Sequence, residues 1–168
     1  PQVKGHDEWI ARGIDGNFIH KLEGLPRFIR KNINGQAVYF THDHVEANKL
    51  EAHISEDPYA PIVQPSLENM EELFGPQDAD FICFGHHHPV HFFKGEHTTY
   101  LNPGSLGCAV DSVARYAVVT IEANRIQVEL LEAKYDNTGF LRSYETLNVP
   151  TRNFILKAFH GDQLKGVD

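Results

Sequence analysis

Histidine is the residue type that stands out: the chain has eleven, among them His42, His44, His86, His87, His88, His91 and His97. Four of these form two His-x-His pairs, His42 with His44 and His86 with His88. Imidazole is the commonest metal-ligating side chain, and its charge changes near neutral pH. Alternate residues of an extended segment point to the same side, so His86 and His88 are expected to project together, with His87 turned away. Four imidazoles at one place suit zinc, iron, manganese or nickel, and residue type does not choose among them. A single His-x-His pair is equally at home on a solvated strand. Two pairs, each closing an apolar run and one led by Gly85, point to a site. His91 and His97 lack that setting and are expected at the surface. His20, His53 and His160 are expected to be structural or solvent-facing.

A second motif is Asn102-Pro103-Gly104-Ser105-Leu106-Gly107. Pro and Gly fix an irregular turn that lets the backbone come close to another group, and the N–H groups of such a turn can hold an anion.

The elements that must carry these residues follow from the pattern. Residues 23–33 mix apolar and basic side chains and stop at Asn34-Gly35, a turn or helix-stop signal. Ala37-Val38-Tyr39-Phe40 is a β-favouring run ending at Thr41-His42-Asp43-His44, and a helix is expected over 45–53. Pro58, Pro61 and Pro65 mark a loop expected to border the pocket. Ser66 can cap a helix whose Leu67, Met70, Leu73 and Phe74 recur at helical spacing, and Gly75-Pro76 ends it. Phe81-Ile82-Cys83-Phe84 reads as a strand buried on both faces, running directly into Gly85-His86-His87-His88-Pro89. Strands are expected over 90–93, 98–101, 116–122 and 126–131, the last two joined at Asn124, giving a second half that looks antiparallel. A closing helix is expected over 151–159. The class is mixed α and β.

The chain has 168 residues, of which 41% are hydrophobic and 23% charged. That is the size and composition of one globular domain spanning 1–168. A net charge of −8 disfavours nucleic acid as the main partner, because backbone phosphates need clustered Lys and Arg. A small phosphorylated substrate stays open, since bound cations would reverse the local sign. Cys83 and Cys108 make no disulfide framework, so a reducing cytoplasm is expected. No apolar run approaches bilayer length, so no membrane association is expected. Pro1-Gln2-Val3-Lys4-Gly5 reads as a chain already in progress.

Phe40-Thr41-His42-Asp43-His44, Phe84-Gly85-His86-His87-His88-Pro89 and Leu101-Asn102-Pro103-Gly104-Ser105 resemble, in order, blocks of the calcineurin-like metallophosphoesterases. They are most similar to the small bacterial and archaeal branch of YfcE-type phosphodiesterases. The resemblance implies an α+β fold, a four-layer α/β/β/α sandwich of which this chain carries the C-terminal portion. It also implies two divalent metal ions (Mn, Fe, Zn or Ni). His42 and His86 would ligate one and His88 the other, with His44 lining the pocket and Asn102, Gly104 and Ser105 shaping its wall. Metal-bound hydroxide would attack the phosphorus of a phosphodiester or phosphomonoester. Exposed sheet edges in this architecture often pair, which leaves a homo-oligomer open.

The family's Asp-x-His and Gly-Asp-x-x-Asp blocks have no counterpart here. Its Gly-Asn block reads Val3-Lys4-Gly5-His6-Asp7, which places His6 either as the second-sphere acid, with Asp7 in register, or in the asparagine's place as a ligand. The alternative function is a catalytically impaired member that regulates or binds a partner. A metallo-β-lactamase pattern breaks at Val45-Glu46-Ala47, and a histidine-triad pattern breaks at Val90.

Overall fold

The turn Asn34-Gly35 sets the first piece of the fold. Both residues have left-handed φ, 53° and 87°, as a two-residue type I′ hairpin turn requires. It joins β1 (Phe28–Ile33) to β2 (Gln36–Thr41) in antiparallel register, Ile33 opposite Gln36. The structure, a computed structural model, describes residues 4–52 and 57–165. Val3 and His53 therefore lie outside the described residues.

After β2 the chain does not form the helix expected over 45–53. Val45 pairs with Tyr59 in an isolated bridge. The His44 carbonyl accepts from the Ala60 N–H at 2.9 Å, and the Pro58 carbonyl from the Glu46 N–H at 3.3 Å. This extended pairing holds 44–46 out of any helix, and the helical tendency survives as one 3₁₀ turn, Ala47–Lys49. Ser66 caps the next helix as expected, accepting from the Asn69 N–H at 3.1 Å. That helix is α3 (Leu67–Phe74), which follows α1 (Lys4–Gly13) and α2 (Ile19–Glu23) in the chain.

The remaining sheet strands are β3 (Phe81–Cys83), β4 (His91–Lys94) and β5 (Thr99–Asn102), giving a five-stranded sheet of order β1-β2-β3-β5-β4. β3 runs parallel to both β2 and β5. The strands of the second half pair antiparallel with each other as expected, β4 with β5, and among the described residues only the pairs of β3 are parallel. β4 takes the edge, and the β4–β5 hairpin returns the chain beside β3, so two strands adjacent to β3 share its direction. β6 (Val113–Glu122) and β7 (Arg125–Lys134) form a separate two-stranded sheet. Ala123-Asn124 joins them, a connection short enough only for an antiparallel pair.

Alternation along the central strands gives each face its own core. Tyr39, Ile82, Phe84 and Tyr100 pack with Met70 and Phe74 of α3. Val38, Phe81 and Leu101 pack with Ala117, Val119, Ile121, Ile126 and Val128 of the β6–β7 hairpin. Helix, sheet and sheet are thus three successive layers, and the chain has the α+β architecture expected. The Asn34 and Gln36 side-chain amides clip the two sheets together, donating to the Ile121 carbonyl at 2.8 Å and the Ala123 carbonyl at 2.6 Å.

These layers belong to one of two compact units, residues 26–105 with 115–132. The other comprises 1–25, 106–114 and 133–168, and holds α1, α2, α4 (Thr138–Thr146) and α5 (Arg152–His160). Of these only α5 was expected from the sequence, from Pro150 before it and Gly161 after it. Gly161 closes α5 with φ 60°, and a Cβ there would stand 2.9 Å from that of Val110, so the position suits only glycine. Among the described residues no helix is long and apolar enough to cross a membrane.

Candidate metal centre

Because β2 and β3 are parallel neighbours, the segments that leave them emerge at the same sheet edge, where ligands of such sheets usually bind. His42 directly follows β2, and Gly85-His86 follows β3 by one residue. The Gly85 N–H donates to the His42 carbonyl at 2.8 Å, which joins the two segments. The His42 Nε2 and His86 Nδ1 atoms then lie 3.2 Å apart. Tyr59 stands beside both imidazoles, with ring centroids 5.3 Å from His42 and 5.5 Å from His86.

The Gly85–His88 segment is not extended, which overturns the expected pairing of His86 with His88. His86 has φ 62°, a left-handed conformation uncommon for a non-glycine residue, and the His87 N–H turns back to the Gly85 carbonyl at 2.6 Å. His86 therefore swings toward His42, His87 enters the core, and His88 is left exposed. Asn102 pins this turn from β5. Fully buried, it donates to the carbonyls of Gly85, at 3.3 Å, and His87, while its own carbonyl accepts from the Gly104 N–H at 2.9 Å. Gly104 has φ 92°, with Val90 and His88 close to where a side chain would project. Ser105 accepts through its carbonyl from Arg115 at 3.2 Å. His44 is half-buried with its ring against Phe74, centroids 5.8 Å apart.

His6 and Asp7 lie on α1 in the other unit. There they line a cavity of about 820 Å³ with Cys108, Tyr144, Phe159 and His160. The His6 ring stacks on Trp9 at 6.1 Å, and His160 is buried.

Burial lowers the pKa of His42, the neighbouring His86 lowers it further, and Asp43 acts in the opposite sense. Burial and His86 thus both favour the neutral form of the His42 imidazole, the form that ligates a cation. Two nitrogens held by one zinc-sized ion at about 2.0–2.1 Å in a tetrahedron lie about 3.3–3.4 Å apart. The observed 3.2 Å is a hydrogen bond between the two rings and is also close to that spacing, so the pair can supply two ligands to one ion. No cluster of three or more His, Cys, Asp or Glu side chains arranged to hold a metal occurs among the described residues, so His88 is not gathered into this pair.

Three residues that sequence reading passed over stand next to the imidazole pair or behind it. Tyr59 is one, though the loop carrying it was expected to border the pocket. Asp43 and His87 are the others, 1% exposed each, with Oδ2 and Nε2 3.3 Å apart. They are in close contact without the alignment of a hydrogen bond, and burial lowers the pKa of His87 while Asp43 acts in the opposite sense. The available signal was position: each follows a candidate ligand by one residue. His91 is fully buried rather than superficial. It opens β4 on the face covered by Phe84 and His87, with ring centroids at 5.4 and 5.0 Å.

The fold and the paired imidazoles define the class: a metallophosphoesterase-type sandwich with histidines at one sheet edge. A hypothetical protein, PH1004 of Pyrococcus horikoshii OT3, has a similar fold at 17% identity and a TM-score of 0.64, matched over 86% of this chain and 56% of that one. A metallophosphoesterase of Sphaerobacter thermophilus is similar at 17% identity and a TM-score of 0.61, over 88% and 65%. The chain therefore spans less than two thirds of the length of either. No curated protein matches the sequence. Residues 8–124 match the calcineurin-like phosphoesterase superfamily domain, and the chain belongs to that superfamily.

Proposed function

We propose that this chain contributes histidine ligands to a dinuclear, metal-dependent phosphoesterase that hydrolyses a small phosphodiester or phosphomonoester in the cytoplasm. The observation that supports this reading is the 3.2 Å approach of His42 Nε2 to His86 Nδ1 at the shared edge of β2 and β3. His42 and His86 would hold one divalent ion and His88 would reach a second, the candidates being Mn, Fe, Zn and Ni. Ions there would neutralise charge on phosphoryl oxygens and acidify a bound water. Tyr59, beside both imidazoles, would form the wall on which the ester rests. Asn102, Gly104 and Ser105 would keep the His86 turn in shape. His6, with Asp7 beside it in sequence, would protonate the leaving oxygen, work that contributes about 10²–10⁴ in rate.

Elemental mass spectrometry of the wild type, His86→Ala and His6→Ala, alongside hydrolysis of bis(p-nitrophenyl) phosphate, p-nitrophenyl phosphate and an alkyl phosphodiester, tests the proposal. Weak binding below two equivalents, lost with activity in His86→Ala, is expected of this chain alone; close to two equivalents would mean that ligands from elsewhere complete the centre. His6→Ala should keep its metal, change hydrolysis of the p-nitrophenyl esters little, and lose about 10²–10⁴ on the alkyl phosphodiester, whose alkoxide must be protonated as it leaves. Metal near zero in both the wild type and His86→Ala would sink the catalytic reading and leave a regulatory or partner-binding family member.

A further inference from the structure

Asp43 and His87 occupy equivalent places in two different segments. Each follows a member of the imidazole pair by one residue, Asp43 after His42 and His87 after His86. Neighbouring residues of a chain leave it in different directions. Here His42 is exposed and His86 half-buried, while Asp43 and His87 are each 1% exposed. The segments thus meet twice: through the imidazoles on the outer side, and through a carboxylate–imidazole contact of 3.3 Å in the interior.

Both inner residues are held firmly. The Asp43 Oδ1 atom accepts from the His44 N–H at 2.7 Å, and the Asp43 carbonyl accepts from the Thr41 hydroxyl at 2.7 Å. This leaves Oδ2 to face His87. The His87 carbonyl accepts from Asn102, and its ring is walled in by Phe84 and His91, with centroids at 5.5 and 5.0 Å. A buried carboxylate–imidazole contact is a poor means of gaining stability, since well-packed apolar residues of similar volume do as well or better. What it offers is a fixed point of approach: Oδ2 and Nε2 stand 3.3 Å apart in the interior, where no water competes for either.

We propose that Asp43 and His87 are positioning residues that clamp the segment after β2 to the segment after β3, holding His42 and His86 at chelating distance before any cation arrives. The Gly85 N–H to His42 carbonyl bond, 2.8 Å, is one point of attachment and the Asp43–His87 contact the second. A single point would let the segments pivot. Two points fix the angle between them, and with it the separation of the two ligand nitrogens. The inference rests on the metal reading above and adds to it what organises the ligands. Partners that orient metal ligands typically change affinity 10–100-fold when removed.

The test uses the full chain, wild type against His87→Phe and the double variant Asp43→Asn/His87→Phe. The phenyl ring keeps the packing against Phe84 and His91 but deletes both nitrogens. The double variant strands no buried charge, so it stays folded if His87→Phe alone does not. Three quantities are read: the ring-to-ring nuclear Overhauser effect between His42 and His86 in metal-free protein, zinc affinity by equilibrium dialysis, and the melting temperature. The clamp predicts a double variant that melts near the wild type, loses the ring-to-ring signal and binds zinc about 10–100-fold more weakly. An unchanged signal with unchanged affinity in the double variant overturns it. So does affinity that merely follows melting temperature across the set. A wild type that binds no zinc, yet shows a ring-to-ring signal abolished in the double variant, upholds the clamp and removes the metal reading beneath it.

Discussion

His91 is the residue whose environment departs furthest from its chemistry. It is fully buried, neither ring nitrogen has a hydrogen-bond partner, and the nearest titratable group is His87, 5.0 Å away between centroids. Burial first, then repulsion from His87, push its pKa from the ordinary 6.5 down to about 4. The unfolded chain therefore takes up this proton before the folded one does, and stability rises with pH across the interval between the two values. His91 imposes no penalty above pH 6.5. As pH falls from there the folded state loses ground, by about 3 kcal/mol at pH 4 for a shift of this size. His91→Phe, which keeps a ring against Phe84, should flatten most of that dependence. Urea unfolding at pH 7 and pH 4.5 of the wild type and the variant measures it, and parallel losses in both would assign the acid sensitivity elsewhere. The candidate ligands were legible in the sequence because His42 and His86 each sit where an apolar strand stops. Which of three consecutive histidines would be buried was not legible. That is decided by the left-handed φ of His86 and by Asp43 waiting in the interior, and neither leaves a periodic trace.

At the scale of elements, the β1–β2 hairpin sets the position of His42. Its register puts Val38 against the β6–β7 sheet and Tyr39 against α3, and a slip of one residue would exchange those faces. The left-handed Asn34-Gly35 turn holds that register, and a β-branched residue fits such a conformation poorly. Gly35→Val is expected to cost about 1–2 kcal/mol in urea unfolding, and Gly35→Asn clearly less, because Asn tolerates the same φ. Equal midpoints for the two variants would mean that the register is set by strand packing alone. This turn was readable from two letters, as were the Ser66 cap and the apolar stripe of α3, because each is a local rule that the tertiary structure leaves intact. β1 was less readable. All but the last of its six residues are exposed, so no alternation marks it, and its strand state comes from the turn and from pairing with β2. The placement of β5 beside β3 was hidden for a related reason. A strand inserted between β3 and the edge strand β4 looks, in sequence, like the second arm of a simple hairpin.

At the scale of the whole chain, the two compact units carry different parts of the proposed chemistry. Residues 26–105 with 115–132 contain both hydrophobic clusters, the five-stranded sheet, most of the β6–β7 hairpin and the His42–His86 pair. The other unit contains His6, Asp7 and the cavity they line. Among the described residues, neither cluster includes one from this second unit, so a chain of residues 26–132 keeps both clusters. Its internal stretch 106–114 would become a surface loop, and Leu106 and Val110 are already 68% and 71% exposed. Such a chain is long enough to form an independent core and is expected to unfold in urea in one cooperative transition. If the metal position depends on His42, His86 and their interior clamp, this shorter chain should bind zinc with the affinity of the full chain. If His6 supplies the leaving-group proton, it should also hydrolyse an alkyl phosphodiester, whose alkoxide must be protonated, about 10²–10⁴-fold more slowly. Retained affinity with lost turnover would assign metal holding to the sandwich and acid catalysis to the helical unit. Affinity lost together with cooperative unfolding would show that the sandwich needs the helical unit to form its core at all.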